Sequence, residues 1–161
     1  MTPKSLPDVG ERLRPIVESL PETFRAYFLA VLEEAAAARY RIWAADCADA
    51  RLASGFLECA EREERIAAIV KGLFPAIPET DATFSAALRA TVREVRAALA
   101  GRSLGEQLAI QAAAERRGAA AWRALAAECR AAERQAALLS CARLEEDSAD
   151  FLDRAISREA G

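Results

Sequence analysis

Four glutamates are the residues of this sequence best placed to do chemistry. In FLECAEREERIAAIV, residues 56–70, a period of 3.6 puts Phe56, Cys59, Ala60, Glu63, Ile66, Ala67 and Val70 on one face. That face is apolar except for Glu63, and a carboxylate on such a stripe is costly unless something neutralises it. The stripe returns as Leu138, Cys141, Ala142, Glu145, Ser148, Ala149 and Leu152. Glu63 and Glu145 stand 82 positions apart, as do Glu33 and Glu115, Cys47 and Cys129, Cys59 and Cys141, and Tyr40 and Trp122. The chain therefore reads as an internal duplication that aims Glu33, Glu63, Glu115 and Glu145 at one interior. On the helical wheel Arg39, Arg62, Arg65, Arg116 and Arg143 point elsewhere, which leaves no fixed cation beside the glutamates. Four carboxylates within about 6 Å of one another cannot all stay ionised without a cation. Either some hold protons at neutral pH or a metal sits among them. Oxygen donors alone suit hard ions such as Mn²⁺, Fe²⁺, Mg²⁺ or Ca²⁺ better than Zn²⁺ or copper.

The remaining chemistry-bearing residues read more simply. Histidine is absent, which removes imidazole ligation and any Ser-His or Cys-His triad. Cys59 and Cys141 lie one turn from Glu63 and Glu145, yet the duplication puts them on opposite sides of the centre. They read as small buried hydrophobes rather than as ligands or a disulfide. Tyr40 and Trp122 read as core packing at a duplicated position, with redox tuning as the sharper alternative. Gln111, one turn before Glu115, is a weak extra ligand candidate. Small residues beside the glutamates (Ala36, Ala37, Gly118, Ala119) leave room for the carboxylates to converge.

Positioning these groups falls to helices. The chain is rich in Ala, Glu and Arg and poor in β-branched and aromatic residues, which argues for an all-α fold. A single domain spanning 1–161 is expected, with internal repeats at about 20–73 and 103–158 and a crossover helix at about 83–100. Asp8 caps a short helix running to about Leu20, and Pro21 opens a long one. One unbroken helix from there to Leu73 would be roughly 80 Å long, so a turn is required near residues 47–50. Pro75 and Pro78 break the pattern after Leu73, and Gly101 ends the crossover. Ser103 and Glu106 form a capping box, and a last helix starts near Ala132.

Charge and hydropathy narrow the partners. The net charge of −3, with Arg and Glu interspersed, offers no footprint for nucleic acid or an anionic membrane. No segment is long and apolar enough to span a bilayer, the N-terminus lacks a signal-peptide core, and a cytoplasmic location is the expectation.

The pattern resembles the ferritin-like superfamily, specifically rubrerythrin-type diiron-carboxylate proteins. SLGEQLAIQAAAERRGAAAWRALA, with Glu115 and Trp122, resembles that family's third core helix, and LEEAAAARYRIWA, with Glu33 and Tyr40, its first. AEREERIA and ARLEEDSADFL resemble the two helices bearing Glu-x-x-His pairs, with Glu63 and Glu145 as the glutamates. The resemblance covers about residues 20–158. It implies a four-helix bundle with one long crossover and two added helices, a homodimer, and a dimetal site of one or two Fe or Mn ions with oxygen- or peroxide-linked redox chemistry. Glu33 and Glu115 would be terminal ligands, and Glu63 and Glu145 would bridge. The chain departs from the family where Ile66 and Ser148 replace the two histidines, where Ala112 replaces a further glutamate, and in lacking a CxxC pair. The site left is carboxylate-only. The alternative is a metal-free descendant serving as a scaffold, a small-ligand pocket or a protein-interaction module, with no cofactor.

Overall fold

The computed structural model describes residues 5–159, with side-chain surroundings through 157. Six α-helices and no strand occur among the described residues: α1 (Val9–Ser19), α2 (Glu22–Asp46), α3 (Ala50–Leu73), α4 (Ala82–Leu99), α5 (Leu104–Glu128) and α6 (Ala132–Glu159). The all-α expectation holds. None of these helices is long and apolar enough to cross a membrane.

Side-chain caps explain where four of the helices begin. Asp8 accepts the Glu11 amide at 3.0 Å, Asp49 the Arg51 and Leu52 amides at 2.8 and 3.1 Å, and Asp81 the Phe84 amide at 2.9 Å. Ser103 and Glu106 cap each other's backbone in a capping box. Such caps contribute about 1 kcal/mol each. Asp49 matters most to the architecture, because it restarts the chain after a turn that contains neither Gly nor Pro. Gly101, the one described residue at positive φ (69°), follows the end of α4.

The duplication extends to the ends of the helices. Leu104 and Glu128 bound α5 and lie 82 positions after Glu22 and Asp46, which bound α2. Cys47 and Cys129 are equivalent C-caps, their amides donating to the equivalent carbonyls of Ala44 and Ala126. Surface ion pairs repeat as well. Arg41–Glu64 joins α2 to α3, and its counterpart Arg123–Glu146 joins α5 to α6. Glu34–Lys71 also recurs, but with its signs exchanged, as Arg116–Asp153.

Helix directions follow from the two halves of the core. One half joins Ala26 and Ala30 from the start of α2, Ile66 and Val70 from the end of α3, Trp122 and Ala126 from the end of α5, and Leu138 and Cys141 from the start of α6. The other joins Tyr40 and Trp43 from the end of α2, Phe56 and Cys59 from the start of α3, Leu108 and Ala112 from the start of α5, and Leu152 and Ala155 from the end of α6. Hence α2 and α6 run one way and α3 and α5 the other, so the connection between α3 and α5 must travel the length of the core. The 18 residues of α4 cover about 27 Å of it. Outside this core, α1 and α4 run antiparallel. Ile16, Val17 and Leu20 meet Phe84, Ala87 and Leu88 over Phe28 of α2, while Val9 and Leu13 meet Val95, Ala98 and Leu99 over Ile110 of α5.

Two glycines in α3 separate packing from backbone effects. A Cβ on Gly55 would lie 2.0 Å from the Phe151 ring, itself edge-on to Phe56 at 5.8 Å, whereas a Cβ on Gly72 meets nothing within 4 Å. Gly55→Ala should therefore destabilise the protein by about 1–3 kcal/mol through overpacking. Gly72→Ala should stabilise it by about 0.4–1 kcal/mol. Urea unfolding of both variants checks the pair of signs.

Candidate metal centre

Between the two apolar halves of the core lie the four glutamates, one from each long helix. Glu63, Glu115 and Glu145 are buried; Glu33 is partly exposed as a residue, though its carboxyl group lies deep. Glu33, Glu63 and Glu145 each bring one carboxylate oxygen to a place where all three oxygens lie within 4.8 Å of one another. Glu115 is not within that distance of all three, but its carboxyl is in hydrogen-bond contact with that of Glu145. Its Oε1 also accepts the Tyr40 hydroxyl at 2.6 Å and the Gln111 side-chain amide at 2.7 Å.

The other members are held from one side only. Ser148 Oγ donates to Glu63 Oε1 at 3.2 Å, and Glu63 Oε2 is buried and receives no donor hydrogen bond, while the Glu33 carboxyl lies within hydrogen-bond reach of those of Glu63 and Glu145, close enough to share a proton. Trp122 Nε1 donates to Glu145 Oε1 at 2.8 Å. That oxygen fills the space above Gly118, where a Cβ would come within 2.4 Å of it; the equivalent position in the first repeat is Ala36. Tyr40 is fixed by its edge contact with Trp43, ring centroids 5.5 Å apart, and by Phe56.

No family profile, curated protein or solved structure matches this chain. What the centre can do therefore rests on its own geometry.

One expectation from the helical wheel needs correcting. Arg39 does not turn fully outward. It is partly buried, its Nε has no hydrogen-bond partner, and its charge interacts with Glu115, Glu63 and Glu33. The reason is local: Arg39 follows Ala36 by three residues and precedes Tyr40, so its long stem lies beside the buried face. No ion pair within 4.0 Å joins it to any of the glutamates, so it tempers the local field without occupying the centre. The other arginines do point away, with Arg62 reaching Glu58 and the Cys59 sulfur and Arg116 reaching Asp153.

Burial dominates the protonation of the triad. Desolvation, then the charge of Glu115, pushes Glu33 from 4.5 up to about 8. Desolvation raises Glu63 and Glu145 well above the usual carboxylate range, with neighbouring carboxylates adding to it. Burial likewise raises the Tyr40 phenol, and it lifts the Cys59 and Cys141 thiols to about 11. All four cysteines are free. Cys59 and Cys141 are fully buried in opposite halves of the core, so neither a mutual disulfide nor shared ligation is available to them.

Sequence reasoning placed the glutamates in the core but missed the donors that sort them. Tyr40 and Trp122 both pack and donate, Gln111 serves a carboxylate rather than adding a ligand, and Ser148 bonds Glu63 across the helices. The one available signal was Ser148 on an otherwise apolar stripe.

Two outcomes follow. In the metal-free protein the triad binds more protons folded than unfolded between about pH 4.5, the ordinary carboxylate value, and about pH 8. Its contribution is present below that window and is lost as pH rises through it. The melting temperature in chelator should thus be higher at pH 5.5 than at pH 8.5, as a thermal scan across that range will show. In the native state at pH 8, thiol titration should label the half-buried Cys47 and Cys129 well before Cys59 and Cys141.

Proposed function

We propose that this protein is a ferritin-like four-helix bundle whose centre binds a hard divalent cation, Fe²⁺ or Mn²⁺, through carboxylates alone. The helix arrangement supports the fold reading: two antiparallel pairs related by an 82-residue repeat, joined by one helix that runs the length of the core. Ferritin-like dimetal proteins place one Glu on each of two helices and a Glu-x-x-His pair on each of the other two. Here α2 and α5 supply Glu33 and Glu115, while α3 and α6 supply Glu63 with Ile66 and Glu145 with Ser148.

The observation that carries the metal reading is the triad itself, three carboxylates within 4.8 Å of one another, with Glu63 Oε2 buried and receiving no donor hydrogen bond from any serine, tyrosine, amide or indole around it. An orphaned carboxylate oxygen in such a place is costly. A cation would engage it together with Glu33 and Glu145, and would displace the protons the metal-free triad holds. The donor set fits: three carboxylates offset a double positive charge, and the oxygen-only ligands select hard ions. When bound, iron or manganese would supply one-electron redox chemistry at this place. Ser148 and Trp122 would orient the ligating carboxylates through their second oxygens, and the aliphatic and aromatic core on both sides would exclude water.

A specific observation favours the rival reading of a metal-free scaffold, namely Arg39, whose charge already acts on the cluster. Metal analysis of protein purified without chelator separates the two. The metal reading expects Fe or Mn in stoichiometric amount, lost in Glu63→Ala. It also expects added Mn²⁺ at 100 times its Kd to stabilise the protein by about 2.7 kcal/mol. An empty protein whose melting is indifferent to both EDTA and Mn²⁺ overturns it.

A further inference from the structure

We infer that the cavity at one end of the core, between the α2–α3 turn, the start of α5 and the end of α6, is a binding pocket for a small carboxylate with an apolar body. This pocket is separate from the carboxylate centre, and its occupancy does not depend on a metal there.

The cavity holds about 450 Å³, within the range of about 300–1,000 Å³ usual for small-molecule sites. Leu52, Leu104, Phe151 and Ala155 make its apolar wall. The Phe151 ring is set by its seat on Gly55 and its edge contact with Phe56, ring centroids 5.8 Å apart. Comparison of the two repeats shows that the fold does not require this space. At the opposite end of the core the place of Ala155 is held by Leu73, which packs against the core with Phe74 and Cys129. There the Arg134 guanidinium lies over the Phe74 ring at 5.5 Å. Gly55 is likewise Ala137 in the other repeat, so the glycine that admits Phe151 belongs to this end alone.

Charge defines the polar end of the ligand. Arg51 and Arg154 border the cavity, both are exposed, and neither joins an ion pair with another described residue. Asp46 and Asp49 border it too, but the Asp49 carboxylate is engaged by the first amides of α3. The equivalents of Arg51 and Arg154 in the other repeat are Glu133 and Gly72, so this pair of cations is also confined to the end that is hollow. A guanidinium recognises a carboxylate through paired, charge-assisted hydrogen bonds. The aliphatic and aromatic wall would take the rest of such a molecule out of water.

Cys47 borders the cavity, while its equivalent Cys129 packs at the other end of the core, so the chain carries its own reporter and control. The probe is octanoate, with octan-1-ol as its neutral analogue, and the labelling rate of each thiol in the native protein is read by peptide mapping. Octanoate should slow labelling of Cys47 and leave Cys129 unchanged, at a concentration about tenfold or more below that needed of octan-1-ol. Arg51→Gln with Arg154→Gln should erase that preference. Ala155→Leu, which restores the leucine of the first repeat, should erase the protection itself. Calorimetric titration of octanoate makes the same comparisons if Cys47 resists the reagent. Equal slowing of both thiols, octan-1-ol as effective as octanoate, or no effect of octanoate by either readout overturns the inference, as does protection that survives both variants.

Discussion

Three carboxyl groups brought within 4.8 Å of one another, away from water, are the constraint the rest of this structure answers to. Taking a single carboxylate into such a place costs on the order of several kcal/mol. Proximity adds repulsion that no direct ion pair relieves. The surrounding sequence can be read as a response to that difficulty. Gly118 cedes volume to Glu145, Trp122 and Ser148 supply hydrogen bonds, and Arg39 lends charge from a distance. The unrelieved remainder falls on two buried atoms at this cluster, the second oxygen of Glu63 and the Nε of Arg39. Natural cores rarely keep such atoms without a use for them.

Duplication explains why four acids meet at all, and its imperfections explain what becomes of them. Two copies of a helical hairpin related by a two-fold axis deliver one acid per helix, as a matter of symmetry. A strictly symmetric centre would treat them in pairs. Substitutions that look minor in isolation, Leu29 against Gln111 and Ala36 against Gly118, give Glu115 a donor that Glu33 lacks and give Glu145 space that the first repeat does not offer. The apolar layers on either side retain the symmetry more faithfully, because volume is easier to match than hydrogen-bond direction.

Much of this was legible in the sequence because it depends on spacing. Capping residues at Asp8, Asp49 and Ser103 announce helix starts, and the 82-residue offset announces the pairing of hairpins. The burial of Glu63, Glu115 and Glu145 follows from the 3.6-residue period alone. What period cannot convey is where a long side chain bends. Arg39 sits on a boundary of the wheel, and only the space beside Tyr40 decides that it folds inward. Likewise the shortest hydrogen bond to Glu115 comes from a tyrosine 75 positions away. Hydrogen bonds between distant helices are set by tertiary packing, which a single helical wheel does not contain.

The sign exchange between Glu34–Lys71 and Arg116–Asp153 bears on how such a chain avoids threading itself wrongly. Repeats this alike invite α6 to dock where α3 belongs. In that arrangement Glu34 would confront Asp153, and Lys71 would confront Arg116, so both attractions would become repulsions. Each exposed contact is worth only about 0–1 kcal/mol. An inversion of sign nevertheless counts twice, once as an attraction lost and once as a repulsion gained. Arg41–Glu64 and Arg123–Glu146, alike in sign, could not tell the partners apart. The exchanged pair can, so a surface contact of small energetic weight becomes the mark by which each helix knows its own hairpin.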